Sequence, residues 1–538
     1  MAMDRRDALR LLAFSPLAPL VGLPRQPAEP LLTGAQATPG AIPPPDVEIA
    51  LTAAPAESPI LPGAPTRVWR YSAKVLRGPS SVVQAIPGSY LGPVIRLRRG
   101  QRVRIRFLNQ IGERSIVHWH GLEVPELADG HPRLAVDDGR EYVYDFEVVN
   151  RAGTYWYHPH PHLRTGAQVN QGLAGLLLVA DSEEDALGLP SGDGELLCVL
   201  QDRRFDSRNQ FEYLAAGPVP GGRGPMGRGM RGRMAGMGGR MDEMMQALNG
   251  WLGDRVLVNG QLHPAITVDR RTCRLRLLNG SNARIYKLAW SDRSPMTVIG
   301  GDGGLLARAQ TMTTMTLAPG QRADVLLDFS GRAAGTEVQL ESLAFPADAV
   351  GRVGMMDQAP PLPQGAPLSL MTLRVAGGTG PRLRLPEQLC EPPAEWRIRA
   401  DAPVRRVVLT FRQMAWLLGG RTFDMADVAP EETVEPGATQ IWELVNEPNP
   451  MGMAMAHPIH LHGRQFRVLS RSGGEARNVL REGVNDSAAL DTVLVLPGET
   501  VRIQATFSRH EGLFLYHCHI LEHEDMGMMR NFRIAGRG

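Results

Sequence analysis

Twelve residues near the C-terminus, His517-Cys518-His519-Ile520-Leu521-Glu522-His523-Glu524-Asp525-Met526-Gly527-Met528, bring together a thiol, three imidazoles and two thioethers. If residues 513–519 form a strand, the alternation of an extended chain sends Cys518 to one face and His517 and His519 to the other. A cysteine with two histidines and a weak, distant methionine is the ligand set of a blue copper centre. The flanking histidines face away from that centre and must serve another. One strand thus joins two metal sites.

Four clusters hold ten of the fourteen histidines: His118-Trp119-His120, Trp156-Tyr157-His158-Pro159-His160, His457-Pro458-Ile459-His460-Leu461-His462, and the C-terminal stretch. A His-x-His pair in a strand points both rings the same way. The pairs 118/120, 158/160, 460/462 and 517/519 therefore each aim at one place. His457 is three positions from His460 and faces the other way, as Cys518 does relative to its neighbours. His457, Cys518 and His523 then form one site, with Met528 as axial ligand. The eight paired histidines form the second, enough for about three copper ions, since neutral imidazole is a favoured copper ligand. His162 follows in the same run, and spacing alone leaves 160/162 open as an alternative to 158/160.

Such ligands need rigid extended elements to hold them, and the chain repeats one. Residues 94–109 alternate apolar and polar side chains and end in Asn109; residues 266–279 end likewise in Asn279, and residues 433–446 in Asn446. The asparagines are 170 and 167 positions apart, so one domain type is expected three times. Leu317-Ala318-Pro319-Gly320 and Leu496-Pro497-Gly498 precede similar apolar runs. Period-two runs broken by Gly/Pro turns predict an all-β chain of antiparallel sandwiches. The expected layout is an export signal at 1–37, a proline-rich arm at 38–66, sandwiches at 67–183, 193–378 and 396–538, and a linker at 379–395. Residues 215–245 interrupt the second sandwich with glycine, arginine and methionine. Met226, Met230, Met234, Met237, Met241, Met244 and Met245 recur at mostly helical spacing, while the glycines argue against a stable helix.

Composition narrows the function. A chain of 538 residues has room for roughly three or four domains. A formal charge of +2 gives no argument for a nucleic-acid partner. Lys74 and Lys287 are the only lysines, and the arginine excess runs through the whole chain. Four cysteines are too few for a disulfide framework; Cys198 and Cys273 read as buried, and Cys390 lies in the linker. Arg5-Arg6 before an apolar stretch from Leu11 to Leu23, with Ala35-Gln36-Ala37 beyond, reads as an export signal resembling the twin-arginine type. The stretch is too short and broken to span a membrane. A periplasmic or extracellular protein is expected.

The motifs HWHGLEVP, GLAGLL, LRLLNGSNAR, GDGGLL and HCHILEHEDMGMM together resemble the three-domain multicopper oxidases, of the bacterial laccase and copper-efflux oxidase type, over nearly the whole mature length. That resemblance implies three cupredoxin-like Greek-key domains holding four copper ions. His457, Cys518, His523 and Met528 match the type 1 ligands, and His118 and His460 the type 2. His120, His158, His160, His462, His517 and His519 match the type 3 pair, with His162 a spectator. It further implies that Cys518 carries electrons to the cluster, and that Asp129 and Glu524 handle protons for dioxygen reduction. The reductant would be Cu(I), small aromatic compounds, or both. Soft thioethers favour Cu(I), which makes Met453, Met455 and the insert methionines candidate substrate ligands. Two departures stand out: the efflux oxidase has aspartate where this chain has Met453, and carries its methionine-rich insert in the third domain rather than the second. A laccase without a role in copper homeostasis, or a non-catalytic copper-sequestering protein, are the alternatives. Since one chain carries all four motifs, a monomer suffices.

Overall fold

The computed structural model describes residues 44–214, 233–353, 360–475 and 478–536, leaving aside the side chains of 233–240. The expected export signal, Met226 and Met230 lie outside the described residues. Among the described residues strands dominate, and they form six sheets, two to each sandwich.

In the first sandwich, a sheet of Thr66–Arg77, Val47–Ser58, Arg102–Asn109 and Glu141–Glu147 faces one of Val83–Gln84, Val94–Arg98, Gly175–Ala180, Gly153–Pro159 and Val117–His120. Their inner faces share one apolar core, with Ile49, Ile105, Phe107 and Tyr144 from one sheet and Trp119, Tyr157 and Leu177 from the other. The third sandwich repeats the plan. Ala415–Leu418, Val404–Arg412, Thr439–Asn446, Glu499–Thr506 and Phe466–Gly473 make one sheet; Thr433–Val434, Met529–Ile534, Gly512–Cys518, His457–Leu461 and Thr492–Val495 make the other. The second sandwich pairs an eight-stranded with a five-stranded sheet. The expectation of an all-β, cupredoxin-like fold holds.

The repeat seen in the sequence is structural. Arg102–Asn109, Thr272–Asn279 and Thr439–Asn446 each run parallel to one earlier strand and antiparallel to one later strand. Each terminal asparagine is buried, and its amide donates to carbonyls of two loops: Glu113 and Val136 from Asn109, Arg284 and Leu317 from Asn279, Met455 and Val495 from Asn446. Gly139, Gly320 and Gly498, with φ of +73°, +84° and +71°, donate to the same three asparagine carbonyls. Only a residue without Cβ takes that conformation freely.

Alternation explains the burial. In Arg102–Asn109 the inward Val103, Ile105 and Phe107 are fully buried, and the outward arginines pair with Asp145 and Glu48. Thr272–Asn279 alternates in the same way but is buried throughout, because its outer face packs on the first sandwich. There Arg274 and Arg276 are ion-paired with Glu184, Asp324 and Glu195. Buried charges of this kind persist only when paired.

Two expectations are corrected. Residues 47–58, placed in a proline-rich arm, are a strand inside the first sandwich: Val47, Ile49, Leu51 and Ala53 recur at period two and are fully buried, with the first proline of the strand at Pro55. The glycines of the insert argue against a helix stable on its own, yet Arg233–Asn249 is helical. Its last turns are anchored in the core by Met245, Ala247 and Leu248, and such packing outweighs intrinsic propensity. The linker residues Leu389 and Cys390 lie against Ile299, Leu305 and Leu326 of the second sandwich. All four cysteines are free. Among the described residues no helix is long and apolar enough to cross a membrane.

Candidate metal centre

Strand register sorts the candidate ligands. His457–Leu461 pairs antiparallel with Gly512–Cys518 so that His460 lies opposite His517 and Ile459 opposite Cys518. Residues opposite one another share a face, so His460 and His517 emerge on one side while Cys518 and His457 emerge on the other. In the first sandwich Val117–His120 pairs with Gly153–Pro159, His118 opposite His158. That sheet turns its histidines toward those of the third sandwich.

On one side of Gly512–Cys518, the Nδ1 atoms of His457 and His523 lie 3.5 and 3.6 Å from Cys518 Sγ. All three residues are fully buried. A thiolate at about 2.3 Å and an imidazole at about 2.0 Å from a shared ion stand about 3.6 Å apart at a near-tetrahedral angle, so the spacing fits a single metal. The Ile520 N–H donates to Cys518 Sγ at 3.4 Å. Met528 is fully buried; its N–H donates to the His523 carbonyl, and its carbonyl accepts from the Cys518 N–H. These bonds close the loop between the ligands. His523 sits on the short helix Leu521–Asp525, and its Nε2 donates to the Leu248 carbonyl at 2.9 Å. Burial pushes the Cys518 thiol well up and His523 down to about 3, the Leu248 bond opposing the latter only in part. A buried thiol of this kind ionises only when a cation compensates the charge.

On the other side eight imidazoles converge, each at most 1% exposed. They form one continuous cluster, with His118 stacked on His462 and His120 on His460 at 3.8 Å, within which three sets can be drawn. His118 and His460 bring their Nε2 atoms to 3.4 Å. His160, His462 and His517 have rings 5.0–5.2 Å apart, with Nε2 of His517 at 3.3 Å from His160 and 3.1 Å from His462. The rings of His120, His158 and His519 lie 5.0–5.6 Å apart. Two nitrogens about 2.0 Å from one ion are roughly 3.3 Å apart, as the first two sets have them. His158 Nε2 and both nitrogens of His519 have no hydrogen-bond partner. Burial holds all eight well below the usual histidine range, His158 to about 3 and His517 to about 4. Neutral imidazole is the metal-binding form. The donor set fits copper at both sites. His162 packs instead against Phe423, at 5.0 Å, and its ring joins none of the three sets.

Both carboxylates singled out in the sequence are there. Asp129 is fully buried; its Oδ2 accepts from His462 Nδ1 at 2.8 Å and its carbonyl from His118 Nδ1 at 2.6 Å. Glu524 lies 3.5 Å from His160 and 3.3 Å from His517. Burial raises the pKa of both. The methionines are less gathered: Met455 is in the core, Met453 half-buried and Met241 exposed. Met234 and Met237 lie on the helix, but their side chains are outside the described residues.

Sequence reasoning missed the support from the second sandwich. Asp491 Oδ1 lies 3.0 Å from His120 Nε2, and Asp491 pairs with Arg322, which also approaches Asp302. Asp302 accepts from the N–H groups of Arg322, Asp491 and Thr492. Gly320 packs on His519: a Cβ there would come to 2.9 Å from the ring. No local motif marks these residues, although the Pro-Gly turn holding Gly320 was visible as a repeat. Trp416, whose ring lies 4.5 Å from His457 and 5.2 Å from His523, was also missed.

Comparison with known proteins gives a consistent answer. The multicopper oxidase family matches at residues 68–184, 238–336 and 398–537. The chain is 30% identical over 452 residues to a multicopper oxidase of Staphylococcus haemolyticus, covering 83% of each. It is 27% identical over 522 residues to a laccase of Bacillus subtilis, covering 88% of this chain and 91% of that one. The crystal structure of a multicopper oxidase from the hyperthermophile Aquifex aeolicus superposes with a TM-score of 0.72 at 34% identity, covering 92% of this chain and 97% of that one.

Proposed function

The chain belongs to the multicopper oxidases, and on that premise we propose that it couples four one-electron oxidations of Cu(I) or small phenols to the reduction of dioxygen to water, in the service of copper tolerance. In this reading His457, Cys518, His523 and Met528 hold the type 1 copper. His118 and His460 hold the type 2 ion; His120, His158 and His519, with His160, His462 and His517, hold the type 3 pair. Bound copper supplies the one-electron storage and the dioxygen chemistry. The observation that carries the reading is the convergence of eight buried, neutral imidazoles from two sandwiches, one strand away from a Cys-His-His site.

The protein's own residues connect the sites. Cys518 is covalently continuous with His517 and His519, and His517 Nδ1 donates to the Cys518 carbonyl at 3.0 Å. Electrons therefore have a bonded path and a hydrogen-bonded one. Asp129 orients His462 and His118 through their Nδ1 atoms, leaving each Nε2 for the metal. Asp129 and Glu524, both raised by burial, are placed to hold protons beside the cluster. Export by the twin-arginine route rests on the sequence alone.

For the reductant, the covering of His523 by the last turn of the insert helix supports a small ion such as Cu(I) over bulky organic donors. An apolar cavity of about 230 Å³ bordered by Met455, Ala456 and Ile520 favours a second reading, a laccase acting on single-ring phenols, for which such a volume suffices. Deleting residues 223–241 and comparing Cu(I) with phenol turnover separates the two. Loss of Cu(I) oxidation with phenol oxidation kept or raised supports the cuprous reading; unchanged Cu(I) turnover excludes the insert as a copper port.

A further inference from the structure

We propose that Trp416 is a positioning residue that latches the last turn of the insert helix onto His523, closing that ligand's edge to bulky electron donors. The inference rests on the reading of His523 as a copper ligand. The Leu248 carbonyl accepts two N–H groups, His523 Nε2 at 2.9 Å and Trp416 Nε1 at 3.0 Å. Leu248 is the penultimate residue of the helix Arg233–Asn249, so its carbonyl has no partner within the helix. A carbonyl oxygen has two lone pairs, and these two donors occupy both. Donation from Nε2 fixes the His523 tautomer and leaves Nδ1 free to face Cys518 Sγ, the usual way an outer hydrogen bond orients a metal-binding histidine.

The surroundings hold this arrangement from both sides. Gly250, just after the helix, has φ +82°, and a Cβ there would meet Ala283 Cβ at 2.4 Å and Ile520 Cγ2 at 3.0 Å. The helix end is therefore seated against the second sandwich and against the residue whose N–H donates to Cys518. Trp416 lies on the hairpin of Val404–Arg412 and Ala415–Leu418, joined by Gln413 and Met414 at φ +49° and +60°. Side-chain-bearing residues at both positions of such a turn are strained. The hairpin is nonetheless formed, with Phe411 opposite Trp416 and their rings 4.9 Å apart. The indole is 1% exposed and flanks both imidazoles. A donor larger than an ion reaches neither edge of His523 while Leu248 and Trp416 stay in place.

The test is Trp416→Phe, which keeps an aromatic ring and removes the N–H. The reduction potential of the blue centre should shift, and the kcat/KM ratio of a two-ring phenol to Cu(I) should rise by about 10-fold, the lower end of what outer-shell changes do at metal sites. A general packing defect would lower both activities without moving the potential. In parent enzyme labelled with ¹⁵N-tryptophan, the Trp416 indole N–H should appear only on reduction and be protected from exchange, a measurement that stands even where Trp416→Phe does not fold. An unchanged potential and donor ratio, or a rapidly exchanging indole N–H, overturns the latch. A parent that binds no blue copper overturns the reading of His523 instead, so the two failures are distinguishable.

Discussion

Arg322 of the second sandwich and Asp491 of the third form a fully buried ion pair, with Arg322 Nη2 2.5 Å from Asp491 Oδ2. The other carboxylate oxygen of Asp491 reaches His120 of the first. Three sandwiches thus meet at one charge pair beside the histidine cluster. Arg322→Leu leaves Asp491 buried without its cation, which costs about 3–5 kcal/mol for buried pairs. The variant should unfold at lower denaturant and carry less copper at the histidine cluster while keeping the blue colour. Stability within about 1 kcal/mol of the parent, which is what exposed pairs contribute, would show that the pair is not under load.

Asp129→Asn keeps the acceptor for His462 and removes the group that takes a proton. Reoxidation of the reduced enzyme by dioxygen should slow by about 10²-fold or more, the range for a lost acid or base. Anaerobic reduction of the blue centre should stay within about twofold of the parent. Stopped-flow absorbance reads both steps, and unchanged reoxidation removes Asp129 from the proton path.

Cys518→Ser exchanges the only sulfur anion of the His457–His523 site for a poor copper ligand. Blue absorption and turnover should both vanish, while copper analysis still finds the metal held by the eight histidines. A blue, active variant would overturn the ligand assignment as a whole.

His131 gives the fold an acid-sensitive point. Its Nδ1 accepts from the Arg133 N–H and its Nε2 donates to Asn531 Oδ1, so protonation at Nδ1 sets two donors against each other. Burial holds its pKa down at about 4, against 6.5 when unfolded. The unfolded chain therefore takes up a proton first as pH falls, and the stabilisation present above pH 6.5 is lost between about 6.5 and 4. The shift corresponds to roughly 3 kcal/mol. His131→Leu should be less stable at pH 7 but flatter over that window, as read by denaturant midpoints. Parallel pH profiles for parent and variant would remove His131 as the source.

Much of the site was legible because its logic is local. The parity of a strand is set by covalent geometry, so Cys518 had to face away from His517 and His519, and His457 away from His460. The register of Ile459 with Cys518 and His460 with His517 bears that out. The three asparagine-ended strands were likewise visible as a period, and they occupy equivalent places in three sandwiches. The alternation of Val47, Ile49, Leu51 and Ala53 is equally local, but Pro43, Pro44, Pro45 and Pro55 flank it and give the stretch the composition of an arm.

What the chain could not disclose by itself involves partners far apart in sequence. Asp491 is 169 positions from Arg322, and Trp416 is 168 from Leu248. Nothing in the local pattern marks such pairs, because they depend on how separate sheets pack and which side chains that packing strips of water. The same is true of the insert helix, whose glycines weaken it alone and whose buried last turn stabilises it in place. From residue order alone came the candidate ligands and the two faces of the strand through Cys518. Only the tertiary structure decided which histidines come within reach of one another, which charges support them and what covers His523.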